Sequence, residues 1–399
     1  MARARSASPT FGSLFSGCGG FDLGFTQSGF RCVGAFDLDP IAVENHRANL
    51  GSPVFEWDLR KGLPDDSLAG VEVLVAGPPC QGFSLAGGRR MDDPRNELLP
   101  LAAAIAAGIR PKVFVAENVA GSKAGEHRKY WDSVLATMKH AGYATREFTC
   151  VGTDFGVPQV RKRCLVIAWR TGKNLPELNG RSNGGVLRDA LANLDGVPNH
   201  DPVRLEPDSR LAKIARRLGP GQKLCNVRQG LRSVHTWDIP EVFGRTNARE
   251  RQVLEALIRA RRRRRVRSSG DADPVPISAL ETDLGFSIAP LLQTLKRKGF
   301  VRERERLFDL VHTFNGKFRR LEWDLPSYTV DTRFGDPRYF LHPGEERGFS
   351  AREAARIQGF PDSFVFSGPT RAQFRMIGNA VPPPMGRAIA ELVHLALRD

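Results

Sequence analysis

Residues 10–20 read TFGSLFSGCGG, an apolar run followed by closely spaced glycines. This pattern predicts a strand that turns sharply into a helix, whose N-terminus would then face a ligand. The next β-rich run ends at Asp37, where a carboxylate can accept hydrogen bonds from ribose hydroxyls. The glycine spacing is not GxGxxG, so a plain tight turn beside a solvent-facing aspartate is the alternative for this segment taken alone.

The alternation of β-rich runs with helical stretches continues through the first 170 residues. Nearly continuous apolar strands joined by helices predict an α/β fold. It would have a mostly parallel sheet, helices on both faces and ligands at the C-terminal ends of the strands. The strands are expected at Thr10–Phe15, Arg31–Phe36, Val71–Ala76, Lys112–Ala116, Ala144–Cys150 and Cys164–Trp169, and helices at Pro40–Leu50 and Asn96–Ile109.

Positive charge is concentrated in one part of the chain. The formal charge is +15, and residues 171–325, with 30 Lys and Arg against 19 Asp and Glu, contribute +11 of it. This asymmetry predicts a catalytic domain over residues 1–170 and 326–399, with a smaller polyanion-binding domain over 171–325. A solvated basic surface is the alternative.

The order of patterns within the basic insert predicts a winged-helix-like segment over about 246–321. A helical pattern over 246–265 precedes an expected helix–turn–helix, whose second helix is Ser287–Lys298. Two alternating runs then flank Asn315-Gly316, a favoured hairpin turn. Ser287–Lys298 would enter the major groove of DNA, with residues 302–320 as a basic wing. A basic helical subdomain packed on the body is the alternative.

Other classes of protein are disfavoured by composition. The six cysteines are scattered without a CxxC pair, which argues against a disulfide framework and a zinc site, so we expect reduced thiols and no metal. No apolar run approaches the length of a membrane helix, and the N-terminus does not resemble a secretory signal. We therefore expect a cytoplasmic protein.

Reactive side chains follow three of the predicted strands. Cys80 lies in the rigid, glycine-flanked GPPCQGFS segment, which favours a nucleophile over an inert buried thiol. Glu117 ends another strand, where it can exchange a proton with a ring nitrogen or simply be an exposed loop residue. Arg161 and Arg163 share one face of a strand in QVRKR. They can lower the pKa of a thiol, or merely blunt an edge strand.

Six segments together resemble the motif series of the cytosine-C5 DNA methyltransferases. In chain order they are FSGCGG, PPCQGFS, ENV, QVRKR, REAARIQGFPDSF and GNAVPP. The resemblance covers residues 10–170 and about 326–397, and the family's variable target-recognition domain stands where the basic insert lies. It implies a Rossmann-like domain that binds S-adenosyl-L-methionine and uses no metal.

The resemblance also implies a role for each reactive residue. Cys80 would attack C6 of a cytosine that has left the duplex, and Glu117 would contact N3 and the exocyclic amine. Arg163 would hold O2, and Arg161 would support the cysteine loop and a phosphate. C5 would then take the methyl group, and loss of the C5 proton would release Cys80.

The residues implied to bind the cofactor are Phe15, Gly17, Gly19, Asp37, Leu38, Asp58, Leu59, Pro78, Leu98, Asn379 and Ala380. Segment Ser84–Asp93 is expected to be a loop that closes over DNA. The residues expected to contact DNA are Ser84, Arg89, Arg90, Arg261, Arg262, Arg263, Lys296, Arg297, Lys298 and Arg319.

The function implied is that of a DNA (cytosine-5) methyltransferase acting on a specific duplex sequence. We expect a monomer with a prokaryotic restriction-modification or DNA-protection role, whose cognate endonuclease acts separately. Transfer-RNA cytosine methyltransferases share the catalytic motifs, but their insert is reduced. A non-catalytic DNA-binding regulator is a further alternative, and the intact Cys80, Glu117 and Arg161/Arg163 set argues against it.

Overall fold

The computed structural model describes residues 8–83, 90–172, 175–178, 180, 184–266 and 273–397. In these ranges the strands are β1 (Thr10–Leu14), β2 (Arg31–Asp37), β3 (Val54–Glu56), β4 (Val73–Ala76), β5 (Val113–Val119), β6 (Ala144–Val151), β7 (Gln159–Val160), β8 (Lys162–Trp169), β9 (Lys223–Cys225), β10 (Ser233–Val234), β11 (Val275–Pro276), β12 (Val301–Arg304), β13 (Leu307–Leu310), β14 (Asn315–Lys317), β15 (Arg319–Arg320), β16 (Ser327–Tyr328) and β17 (Phe340–Leu341). The helices are α1 (Gly20–Gln27), α2 (Pro40–Leu50), α3 (Leu98–Ile109), α4 (Arg128–His140), α5 (Leu187–Ala190), α6 (Arg210–Arg216), α7 (Pro240–Phe243), α8 (Ala248–Arg263), α9 (Ile277–Leu284), α10 (Ala289–Arg297), α11 (Ala351–Ile357), α12 (Thr370–Asn379) and α13 (Pro383–Leu397).

The chain forms two compact units, and each is built from separate stretches of sequence. The first unit contains Met1–Asp201, Asp324–Arg333 and Ser350–Asp399, and the second contains Pro202–Trp323 and Phe334–Phe349. The division after Asp201 falls later than the expected boundary at 171. One reason is that residues just before it are tied to the first unit: Arg352 Nε donates to Pro198 O at 2.7 Å.

The first unit is built on a seven-stranded sheet with the order β3-β2-β1-β4-β5-β8-β6. The pairs among β1 to β5 are parallel, and only β8 runs antiparallel to its neighbours β5 and β6. The predicted mostly parallel sheet is therefore confirmed. It is buried on both faces, with α1 and α13 on one side and α3 and α4 on the other. This double covering explains why the central strands are continuously apolar.

Helix α1 follows the first strand as predicted, although it contains two glycines, which weaken a helix. Packing explains them. A Cβ at Gly24 would lie 2.5 Å from the backbone nitrogen of Arg387, so α1 and α13 can approach this closely only with glycine there. The sequence did not predict strand β3 or helix α4, whereas α2 has its predicted bounds.

The second unit contains a small sheet, β11-β13-β12, in the order α8, β11, α9, α10, β12, β13 along the chain. Its core is apolar and includes Leu254, Leu257, Leu292 and Phe300. Helix α10 lies within the predicted Ser287–Lys298.

The predicted hairpin turn in the second unit is wrong. Residues 315–317 form β14, which pairs antiparallel with β9, so Asn315-Gly316 does not close a hairpin. The hairpin is β12–β13, and its turn is Glu305-Arg306, both in the left-handed region with φ of 51° and 63°. Neither residue is the Asn or Gly that favours such a turn, so the sequence pattern predicted the turn at Asn315-Gly316 instead.

None of the helices in the described parts of the chain is both long and apolar enough to span a membrane.

Candidate active site

A cavity of the first unit lies at the C-terminal ends of β1, β2, β4 and β5, where parallel sheets place their ligands. Its volume is about 350 Å³, within the range of small-molecule sites. The predicted site residues on its wall are Phe15, Gly17, Asp37, Leu38, Asp58, Leu59, Pro78, Cys80, Leu98, Glu117, Arg163, Asn379 and Ala380. The structure thus brings together side chains that are up to 365 positions apart, from Phe15 to Ala380.

The turn after β1 forms one wall of the cavity. Gly17 has φ of +55° and donates its N–H to Asp37 Oδ2 at 2.8 Å. Phe15 adopts φ of 55°, a left-handed conformation that is costly for a residue with a side chain. Gly19 begins α1 in the same conformation and does not line the cavity. The neighbouring Ser16 hydroxyl is buried at the cavity without a hydrogen-bond partner.

Two carboxylates stand at the end of the cavity formed by β2 and β3. Asp37 Oδ1 also accepts from Asp39 N at 2.9 Å. The Asp37 carboxylate is therefore bonded both to the turn after β1, through Gly17, and to the turn after β2, through Asp39. Burial raises the pKa of Asp37, and its backbone donors oppose that rise. Asp58 instead accepts from the Arg60 guanidinium, which lowers the pKa of its carboxyl to about 2.

Cys80 follows β4 and is a free, half-buried thiol. Burial raises its pKa, Arg163 and Arg161 lower it, and Glu117 adds to the rise. The segment before it is held from the neighbouring strand, because Asn118 Nδ2 donates to Pro78 O at 3.2 Å. This bond fixes the cysteine loop relative to β5.

Glu117 and Arg163 form an ion pair beside Cys80. Arg163 Nε lies 2.7 Å from Glu117 Oε1, and each side chain exposes no more than 10% of its surface. Burial raises the pKa of Glu117, and the positive charges of Arg163 and Arg161 oppose it. A carboxyl with a raised pKa more readily holds a proton, so Glu117 can act as an acid toward a ring nitrogen.

Arg161 is placed differently from the expectation. Its side chain is buried and does not line the cavity. Nη1 donates to Val330 O, and Nη2 donates to Gly378 O and Ala380 O, each at 2.9 Å. Both terminal nitrogens of the guanidinium are thus occupied by backbone carbonyls of the protein. Arg161 therefore positions the segment that carries Asn379.

Two buried glutamines support the same segment, and sequence reasoning assigned them no role. Gln159 Oε1 accepts from Val330 N at 2.9 Å, and its amide nitrogen donates to the side chain of Gln358. Gln358 Nε2 donates to Ile377 O at 2.7 Å and to Ala380 O at 3.1 Å. Gln159 lies in the motif QVRKR and Gln358 in REAARIQGFPDSF. Their place in these motifs is the only feature of the sequence that could have indicated a role for them.

The residues expected to contact DNA differ in their exposure. Ser84 and Arg89 lie outside the described residues, and Arg90 is exposed and pairs with Asp92 at 3.0 Å. In the second unit Arg262 and Arg297 are exposed and Arg319 is half-buried.

Several of these cations are engaged by acidic residues. Arg263 pairs with Asp283, Lys296 with Glu303 at 2.9 Å, and Lys298 with Glu250 at 2.7 Å. Arg261 is the clearest correction: it is 4% exposed and pairs with Asp309 at 2.5 Å. It stabilises the interior of the second unit, because its position on α8 faces the small sheet.

A mostly parallel sheet with a small-molecule cavity, a thiol and a buried Glu–Arg pair at its strand ends defines an α/β enzyme with a candidate cysteine nucleophile. The sequence model of the C-5 cytosine-specific DNA methylases matches residues 10–394. The chain belongs to this family, and it is a DNA cytosine-5 methyltransferase.

Individual relatives agree with this membership. The chain is 30% identical to the Type II methyltransferase M.AgeI of Thalassovita gelatinovora, over 96% of this chain and 99% of that protein. It is 32% identical to the Type II methyltransferase M1.HphI of Haemophilus parahaemolyticus, over 96% of this chain and 86% of that protein.

Two solved structures share the fold. A candidate DNA modification methyltransferase encoded within an Escherichia coli prophage has a TM-score of 0.59 at 21% identity, over 98% of this chain and 100% of that one. The methyltransferase EhMeth of Entamoeba histolytica has a TM-score of 0.56 at 16% identity, over 98% of this chain and 99% of that one.

The cavity fits S-adenosyl-L-methionine, the methyl donor that the family implies. Asp37 retains acceptor capacity for hydroxyl groups, and the Ser16 hydroxyl has no protein partner. Leu38 lines the cavity although 58% of its surface is exposed, which leaves an apolar surface for a ring.

Proposed function

We propose that this enzyme methylates C5 of a flipped-out cytosine in one specific duplex DNA sequence, through a covalent bond between Cys80 and C6. We further propose that it is the modification enzyme of a restriction-modification system, whose endonuclease acts separately. The observation that carries the catalytic proposal is the arrangement of Cys80 and the Glu117–Arg163 pair on one cavity wall.

The cofactor-binding residues are assigned by their places on the wall. Phe15 and Leu38 would contact the adenine, Asp37 the ribose hydroxyls and Asp58 the adenine amine. Asn379 would hold the amino-acid end. When bound, S-adenosyl-L-methionine supplies an electrophilic methyl group.

Cys80 begins the reaction on the base. Its thiolate forms a bond to C6, and the electron pair of the C5–C6 double bond shifts toward N3, where Glu117 gives a proton. The resulting enamine makes C5 nucleophilic, so C5 can take the methyl group. A base then removes the C5 proton, the C5–C6 double bond re-forms, Cys80 leaves as a thiolate, and Glu117 recovers its proton from N3.

Arg163 has two functions in this scheme. It would donate to O2 of the cytosine, and it keeps Glu117 in place through their 2.7 Å ion pair. Its charge also favours the Cys80 thiolate over the thiol. Arg161 acts as a positioning residue, through the three carbonyls that it holds.

The base must leave the helical stack for this chemistry, because C6 is inaccessible within a duplex. The second unit would hold the DNA. Within it, the order α8, β11, α9, α10, β12, β13 is the order expected for a winged helix, and this supports the proposed DNA-binding role. The excess of positive charge in this part of the sequence supports the same role.

Bisulfite sequencing of plasmid DNA from cells that express the protein tests the proposal. We expect protected cytosines in one short sequence context, and none with Cys80→Ser at equal protein levels. Protection by Cys80→Ser would exclude the covalent mechanism. Absence of protection by a folded wild-type enzyme that binds S-adenosyl-L-methionine would exclude the DNA substrate and make transfer RNA the next one to test.

A further inference from the structure

The second unit carries a loop whose backbone is held at both ends while its side chains face solvent. Residues 228–232 read RQGLR and lie between β9 and β10. Gln222 Nε2 donates to Leu231 O at 3.0 Å, and His235 Nε2 lies 3.0 Å from Arg228 O. Both bonds fix main-chain atoms, so they restrict the loop without engaging the side chains that it presents.

The segments on either side of this loop are also joined. Asn226 Nδ2 donates to Thr236 Oγ1, and Asn226 Oδ1 accepts from Thr236 N, both at 2.8 Å. The His235 ring stacks on the buried Trp237 with centroids 4.6 Å apart and planes 4° from parallel. The loop therefore stands on a preorganised base, which lowers the entropy lost when it binds a partner.

The side chains of this loop are suited to the edges of bases. Arg228, Gln229 and Arg232 are exposed, although Arg232 also lies 3.5 Å from Glu322, and Leu231 exposes 94% of its surface at the tip. Arg and Gln are the residues that pair in two places with guanine and adenine in the major groove. An apolar residue between them can contact a thymine methyl group or enter the space between neighbouring bases.

Helix α8 extends this surface with positive charge. Gln229 lines a depression together with Ile258, Arg259, Arg262 and Arg263, so the loop and this end of α8 are contiguous. Arg259 is 54% exposed, and its distance of 4.0 Å from Glu255 makes at most a weak ion pair. These arginines can therefore reach phosphates.

Helix α10, the expected recognition helix, offers less available charge. Lys296 and Lys298 already lie within 3 Å of Glu303 and Glu250, respectively. DNA would have to displace these acidic partners or meet their negative charge.

We propose that residues 228–232 and the side chains of Arg259 and Arg262 form one DNA-reading surface, here called the loop–helix surface. The loop reads bases, with Leu231 contacting a thymine methyl group or entering the space between neighbouring bases, and the two arginines neutralise phosphates. This proposal rests on the proposed function and names the part of the second unit that gives it sequence specificity.

The phosphate contacts are tested by binding, without any need for catalysis. The probe is a fluorescent duplex of mixed sequence, and anisotropy gives its affinity over a series of salt concentrations. Each lost phosphate contact reduces the salt slope by about 1, so Arg259→Ala with Arg262→Ala should reduce it by about 2. Arg249→Ala, a matched exposed arginine in the first turn of the same helix, should leave the slope unchanged.

The base contacts are tested with a library of random duplexes, followed by bisulfite sequencing. We expect Gln229→Ala and Leu231→Ala to reduce methylation of the wild-type sequence by between about 5-fold and 150-fold, or to relax the preference at a single position. Gln252→Ala, an exposed glutamine on α8 outside this surface, should keep the wild-type pattern. Unchanged binding of S-adenosyl-L-methionine verifies the fold of the first unit.

Two results would overturn the loop–helix surface. One is a wild-type salt slope for the double arginine variant. The other is a wild-type sequence preference for both loop variants while Gln293→Ala on α10 alters it. If wild-type enzyme binds the duplex but methylates no cytosine, the proposed function fails, and the salt slope alone still decides whether Arg259 and Arg262 contact DNA.

Discussion

The cavity of the first unit and the loop–helix surface of the second unit are built in different ways. The cavity wall consists of residues at strand ends whose polar groups are held by backbone bonds, as Asp37 is held by Gly17 and Asp39. The loop–helix surface consists of exposed side chains on a fixed backbone, with Leu231 almost fully in solvent.

This difference follows from what each region must bind. A methyl donor and a single base are the same in every cycle, so the groups around them can be fixed by the fold. A recognition sequence differs among relatives, and exposed side chains can change without a change of fold. We therefore expect substitutions to separate chemistry from recognition.

Glu117→Gln should give the largest effect and should act on chemistry alone. Glutamine has nearly the same size but no proton to donate to N3, so we expect the methylation rate to fall by about 10²- to 10⁴-fold. DNA affinity should stay within twofold of wild type. Single-turnover kinetics and anisotropy measure the two quantities, and exposed Glu126→Gln serves as the control. An equal loss in both would contradict the separation of the two regions.

Leu254→Ala should act on the second unit alone. Leu254 is fully buried in the core around α8, and the cavity left by its truncation should cost about 2–5 kcal/mol of unfolding free energy. Calorimetry should show a lowered transition while S-adenosyl-L-methionine still binds with wild-type affinity. A parallel loss of that affinity would mean that the two units do not unfold separately.

Arg161→Met should weaken the cavity wall without touching the ligand. The substitution removes charged hydrogen bonds to three carbonyls and leaves those carbonyls buried, so we expect a loss of about 3 kcal/mol in unfolding free energy. Affinity for S-adenosyl-L-methionine should also fall, because Asn379 lies between two of these carbonyls. Urea unfolding and calorimetric titration measure both, with exposed Arg371→Met on α12 as the control.

The reactivity of Cys80 should depend on pH through Arg163. Burial places the pKa of this thiol above its ordinary value, so alkylation should become faster as pH rises and the thiolate forms. Arg163→Met removes the largest factor that lowers this pKa and should move the midpoint upward by about one pH unit. The exposed neighbour Lys162→Met should leave it in place. An unchanged midpoint would show that Arg163 does not control the thiol.

Asn247→Ala should give the smallest effect and should again be confined to the second unit. Asn247 Oδ1 accepts from Glu250 N at 2.9 Å, and Glu250 Oε2 accepts from Asn247 N at 2.8 Å, which caps α8. Loss of this cap should cost about 1 kcal/mol. Asn247→Asp keeps the acceptor and should restore the stability, as measured by thermal unfolding. Equal losses for both variants would argue against the cap.

The fold of the first unit was largely predictable because the apolar runs that form its strands can be recognised in the sequence. Strand β4 and residues 113–116 of β5 are apolar without interruption, and helix α2 begins at a proline after Asp39, which caps it. The bounds of helix α1 were not predictable, since its glycines are explained only by the approach of α13.

The candidate site was predictable only in part, for a similar reason. Cys80 follows β4 and Glu117 lies near the end of β5, and the order of apolar runs is enough to place both at the carboxyl edge of the sheet. The buried environment of Arg161 depends on Val330 and Ala380, which no local pattern connects to it. In the second unit, the ion pairs of Arg263, Lys296 and Lys298 were not predictable, because a sequence shows charge but not the acidic partner that engages it.

The way in which residues 324–333 rejoin the first unit has a consequence for the exchange of specificity between relatives. Val330 is held by Gln159 and Arg161 through its main-chain N–H and C=O alone. Genetic recombination that imported residues 202–349 as one block would carry this stretch with it and still find both bonds, as long as the side chain at position 330 fits the buried site that Val330 occupies. With such a junction, two crossovers, one on each side of the block, would be enough to replace the recognition sequence while the catalytic residues stay unchanged.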